Sequence, residues 1–94
     1  MSTEVLAMAR FVTRSGEAIE DAIVILDAST EFEGVGAEYE HMAGKFGRRG
    51  IDWRLERQAH LTKEGKHYDR MDLIFPDRTK KSVFFDITAF FGKL

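Results

Sequence analysis

The chain of 94 residues contains no cysteine. That excludes a disulfide scaffold, a cysteine nucleophile and any thiolate metal site, and it fits a reducing compartment. There is a single proline, and no Pro-rich or Gly/Ser-rich stretch separates one part of the chain from another. An excess of one charge is missing too. The 14 basic side chains face 16 acidic ones, giving a formal net charge of −2. Non-specific nucleic-acid binding needs a surplus of Lys and Arg, so nucleic acid is not an expected partner. No apolar run approaches the roughly 20 residues of a membrane span. Met1-Ser2-Thr3-Glu4 has no basic n-region, and Arg10 and Arg14 interrupt the apolar stretch that follows, unlike a secretory signal. The expectation is a cytoplasmic protein with no membrane partner.

What is present suits one globular domain spanning 1–94. The chain is 44% hydrophobic and carries eight Phe, two Tyr and one Trp, enough bulk for a core without covalent staples. The expected fold class is α+β. The firmest element is a helix over 31–46. Ser29 or Thr30 can cap it, Thr30 with Glu33 has capping-box spacing, and Gly47 suits the residue after the last turn. Phe32, Val35, Tyr39, Met42, Ala43 and Phe46 recur in steps of three and four and make one apolar stripe. Gly34, Gly36 and Gly44 are anomalous inside a helix, since each costs about 1 kcal/mol relative to Ala.

Three strands follow, near 51–62, 66–75 and 81–88, and form an antiparallel meander. Trp53, Leu55, Ala59 and Leu61 alternate with polar residues, as do Met71, Leu73 and Phe75, and Val83, Phe85 and Ile87. Pro76-Asp77-Arg78-Thr79 marks the last turn. The earlier run Ile23-Val24-Ile25-Leu26 also has helical partners at Ile19 and Ala22. Its β-branched composition favours a fourth strand near 22–27. Val5, Met8, Ala9 and Val12 have the spacing of an N-terminal helix. The expected sheet therefore has three or four strands packed on the 31–46 helix.

The hairpin register follows from keeping one apolar face. A two-residue Glu64-Gly65 turn would pair residues whose apolar sets point to opposite sides. A three-residue loop, 63–65, with Gly65 left-handed, brings Trp53 opposite Phe75 and Leu55 opposite Leu73. In that register His60 faces Tyr68, Gln58 faces Arg70 and Glu56 faces Asp72. The expected core joins Trp53, Leu55, Leu73, Phe75 and Phe85 to the helix stripe.

Chemical motifs are few. His41, His60 and His67 are dispersed, with no metal-ligand spacing, so neither metal nor cofactor is expected. Gly34-Val35-Gly36 lies inside the helix and has Tyr39 where a dinucleotide loop needs its third glycine. Gly44-Lys45 is followed by Phe46, not Ser or Thr, so it is no P-loop. Lys45, Arg48, Arg49, Arg54 and Arg57 cluster around the helix exit. They read as an anion contact or, with more weight, as dipole compensation and a solvated turn.

The polar side of the sheet is the candidate binding face. It gathers Arg54, Glu56, His60, Tyr68, Arg70, Asp72, Phe84 and Asp86. Its plain reading is a solvated face laced with weak ion pairs. Its aromatics point to an interface. The apolar end, Phe90 to Leu94, is expected to dock on its own core or on a partner. Two functions follow. The preferred one is a non-catalytic binding or interaction module acting as a homodimer, with a second protein as another partner. The alternative is a small enzyme or ligand-binding protein that uses His60, Asp72 and Asp86 for acid/base chemistry.

Overall fold

Helix α1, Glu31–Phe46, starts where the sequence places its cap. The Thr30 hydroxyl accepts the Glu33 N–H at 3.2 Å. The Glu33 carboxylate reaches back to Ser29 N–H at 2.8 Å, one residue before the cap, so the box is closed a step early. At the other end Gly47 has φ 101 and its N–H bonds the Ala43 carbonyl. A positive φ, open to glycine, turns the chain out of the helix there. The next residues are held tightly. Asp52 Oδ2 accepts Arg48 N–H at 2.7 Å, and Trp53 Nε1 donates to the Gly47 carbonyl at 2.8 Å.

The computed structural model describes residues 10–12, 14–26 and 28–94. The strands are β1 Arg10–Val12, β2 Ile23–Leu26, β3 Arg54–Lys63, β4 Lys66–Ile74 and β5 Lys80–Asp86. They form one sheet in the order β1-β2-β5-β4-β3. All neighbours are antiparallel except β2 and β5, which run parallel. The parallel pair follows from connectivity: α1 and the β3–β4 hairpin intervene before the chain returns beside β2. The fold is α+β, with α1 as the one α-helix among the described residues, packed on a mostly antiparallel sheet. Among the described residues no helix is long and apolar enough to cross a membrane.

Three expectations are corrected. Residues 10–12 form a strand against β2, not the end of a helix; residues 5–9 of that expected helix lie outside the described residues. The hairpin turn has two residues: Lys63 pairs with Lys66, and Glu64 (φ 53) and Gly65 (φ 80) are both left-handed, the signature of a type I′ turn. The conflict of apolar faces is real, and a β-bulge resolves it. Register shifts between Leu55 and Arg57, so Glu56 is the extra residue. Leu55 still opposes Leu73. Beyond the bulge, Gln58 opposes Met71, Ala59 opposes Arg70 and His60 opposes Asp69.

The third correction is the rotation of α1. Its buried residues are Gly34, Ala37, Glu38 and Met42. Phe32 is 90% exposed and Val35 38%, and Ala43 is exposed. Tyr39 and Phe46 pack against the core from its flank. The cause is the last segment of the chain. Phe90 is buried, and a Cβ on Gly34 would overlap its ring. The small side of the helix turns inward to admit Phe90, and Phe32 turns out. Ile23, Ile25, Met71, Leu73, Val83, Phe85 and Ile87 complete the core on the helix-facing side of the sheet.

Candidate functional site

The bulge decides which expected site residues share a face. Partners in a ladder point to the same side. On the side away from α1, β4 presents Tyr68, Arg70, Asp72 and Ile74, and β5 presents their partners Asp86, Phe84, Ser82 and Lys80. Arg54 lies beside Ile74, and Arg57 beside Asp72. Glu56, the bulged residue, pairs with Lys80 at 3.2 Å, which places it on this side as well. The structure thus brings together Arg54, Glu56, Tyr68, Arg70, Asp72, Phe84 and Asp86. It sends His60 to the opposite side with Asp69.

The charges of this face are engaged with one another. Asp72 accepts the Ser82 hydroxyl at 2.7 Å. Its oxygens lie 3.5 Å from Arg57 Nε and 3.1 Å from Arg70 Nε, although the Arg70 N–H is not aligned for a hydrogen bond. The bulge sets Arg57 opposite Asp72, in the place that the expected register gives to Glu56, and so avoids a like-charge pair. Asp86 is buried and accepts the N–H and hydroxyl of Thr88 at 3.0 and 2.6 Å. Between these groups Val24, Leu26, Leu61, Tyr68, Ile74 and Phe84 are half-buried.

The helix-facing side holds titratable groups that the expected register keeps apart. His60 Nε2 and His67 Nδ1 are 3.0 Å apart, and the ring of Phe91 stacks over both, with centroids 4.6 and 3.9 Å away. Deeper in, Glu38 is fully buried against Asp69. Loss of water pushes the Glu38 carboxyl up to about 10, and the adjacent Asp69 carboxyl adds to the shift. Neither Glu38 oxygen makes an aligned hydrogen bond. His41 is held below the usual histidine range, chiefly by burial and then by the charge of Lys45. Sequence reasoning missed this group because Glu38 sits at a polar position beside the expected stripe. Its one sequence signal is its spacing of four residues from Gly34 and Met42.

The basic cluster at the helix exit disperses. Lys45 Nζ reaches the Ser15 carbonyl at 3.4 Å. Arg49 lies over the Tyr39 ring at 4.5 Å. Arg57 joins Asp72. Among the described residues no group of three or more His, Asp or Glu is placed to hold a metal ion. No protein-family model, curated protein or solved structure matches this chain.

Proposed function

We propose that the protein is a non-catalytic interaction module that works as a homodimer through the helix-free face of its sheet. The observation that carries this reading is that α1 covers one side, while the other leaves Val24, Leu26, Leu61, Tyr68, Ile74 and Phe84 half-buried, with no second α-helix or sheet over them among the described residues. A sheet face of this composition is stabilised by packing against a second layer. β2, β5, β4 and β3 span about 15–19 Å, and a nine-residue strand is about 30 Å long. Such a patch is of the order that a standard interface of about 800 Å² per partner occupies.

A second copy of the chain is the fitting occupant because the patch carries both signs of charge. In a two-fold interface the patch meets itself, so its cations need acids within the same patch: Asp72 lies beside Arg57 and Arg70, and Glu56 pairs with Lys80. Acid/base chemistry on this face is the weaker reading. His60 is on the other side, and Asp72 and Asp86 are already held by Ser82, Arg57 and Thr88.

Sedimentation equilibrium at micromolar concentration tests the proposal. The expected mass is twice that of the 10.8 kDa chain. Phe84→Glu should reduce it to the monomer while far-ultraviolet dichroism stays unchanged, since an uncompensated charge at the centre of an interface is strongly unfavourable. A wild-type monomer across the whole micromolar range would end this reading.

A further inference from the structure

We propose that the cleft between residues 50–54 and the β4–β5 turn is a binding site for a small organic anion with a flat apolar body, such as an aromatic carboxylate. The cleft is about 570 Å³, within the range of small-molecule sites, and is lined by Gly50, Ile51, Trp53, Arg54, Ile74, Phe75, Pro76 and Arg78. Every lining residue is apolar or arginine, and no acid is among them. Ile51 is 60% exposed, an unusual state for isoleucine beside a concave surface.

The two arginines have no counter-ion among the described residues, and the acids next to them in sequence face other groups. Asp52 caps Arg48 N–H. Asp77 accepts the N–H and hydroxyl of Thr79 at 3.0 and 2.6 Å. Glu56 pairs with Lys80. The guanidinium fork matches a carboxylate in a way that an ammonium does not. Beside Ile51, Ile74, Phe75 and Pro76 it would bind the anionic end of a ligand whose body lies on apolar surface.

The backbone of Arg78 is a separate observation in favour. It has φ 72, a left-handed conformation that ordinarily falls to Gly or Asn in such a turn. Its N–H bonds the Phe75 carbonyl at 2.8 Å, and the Thr79 carbonyl closes the turn onto Phe75 N–H at 2.9 Å. An arginine in this place is conformationally costly, and strain of this kind concentrates at ligand sites. The opposite wall is fixed as well. Gly50 N–H bonds the Trp53 carbonyl at 2.6 Å, and the N–H groups of Ile51 and Asp52 both meet the Arg48 carbonyl. Both walls are thus formed before a ligand arrives, which lowers the cost of binding.

Calorimetric titration of the full chain with 2-naphthoate, 2-naphthamide and inorganic phosphate tests the assignment. Naphthoate should bind at one saturable site, at least about tenfold tighter than either control, because only it offers both anion and apolar body. Arg54→Gln and Arg78→Asn should each weaken it about tenfold or more. Arg78→Asn keeps a residue suited to the left-handed turn, so its melting temperature should be unchanged or higher. That outcome separates lost binding from lost structure. Amide resonance shifts should centre on 50–54 and 74–78. Equal binding of naphthamide, equal binding of phosphate, no binding of naphthoate, or an unchanged affinity in both variants would each overturn the proposal.

Discussion

At the scale of single residues, Glu38 is the most consequential. A carboxylic acid with full burial and no aligned hydrogen bond is a cost the fold bears when the group ionises. Burial lifts its folded value to about 10 from an ordinary 4.5. The folded protein therefore keeps a proton that the unfolded chain releases above about pH 4.5. Stability must fall as pH rises through that window, by up to about 1.4 kcal/mol per unit. His41 acts on the acid side in the opposite sense. Its lowered value means the unfolded chain takes up a proton first, so stability also falls as pH drops below the ordinary histidine value of 6.5. Glu38→Gln removes only the alkaline branch. Urea unfolding should find it more stable than wild type by about 2 kcal/mol or more at pH 8, and nearly equal at pH 4.5. Parallel pH profiles for the two proteins would contradict the burial assigned to this carboxyl.

At the scale of elements, the helix glycines separate two causes that composition alone cannot. Gly34 faces the Phe90 ring, whereas a Cβ on Gly36 or Gly44 would meet nothing within 4 Å. Gly36→Ala and Gly44→Ala should each stabilise the protein by about 0.5–1 kcal/mol through helix propensity. Gly34→Ala should instead lower stability by about 1–3 kcal/mol, because overpacking outweighs propensity. Thermal melts of the three variants check this, and a stabilised Gly34→Ala would mean that Phe90 does not sit on the helix. The same contact explains what could be read in advance. The bounds of α1 were legible because Thr30, Glu33 and Gly47 signal them locally, and the alternation of β4 and β5 was legible because both bury one side. The buried side of α1 was not, because an apolar stripe carries no trace of a distant Phe90 that selects glycine over phenylalanine. The β3–β4 register was half legible. Glu64-Gly65 specifies a two-residue turn, and Leu55 requires Leu73. Both demands are met only through a bulge at Glu56, which no local composition marks. The candidate face kept seven of its eight residues together because they lie on one side in either arrangement; His60, beyond the bulge, changed sides.

At the scale of the whole molecule, two apolar features of the sequence part company. The first is the final segment, which folds back on its own helix. Phe90 is 1% exposed, Gly92 N–H donates to Glu31 Oε2 at 2.7 Å, and the Lys93 carbonyl accepts Glu31 N–H at 2.7 Å. These bonds also satisfy an N–H of the first helical turn that would otherwise depend on water. The second is the helix-free face centred on Phe84, which this segment does not cover. The two phenylalanines should therefore fail differently. Phe90→Ala opens a cavity over Gly34 in the core and should cost about 3–5 kcal/mol, a large share of what a domain of this size possesses. Phe84→Glu acts on the face we assign to association, so it should leave the unfolding free energy of the dilute protein within about 1 kcal/mol of wild type. Urea titrations at low micromolar concentration, with mass measured in parallel, distinguish them. The expected pattern is a destabilised Phe90→Ala and a well-folded monomeric Phe84→Glu. A Phe90→Ala variant that keeps its stability but loses its partner would reverse the roles, making the final segment the dimer contact and the sheet face a solvated surface.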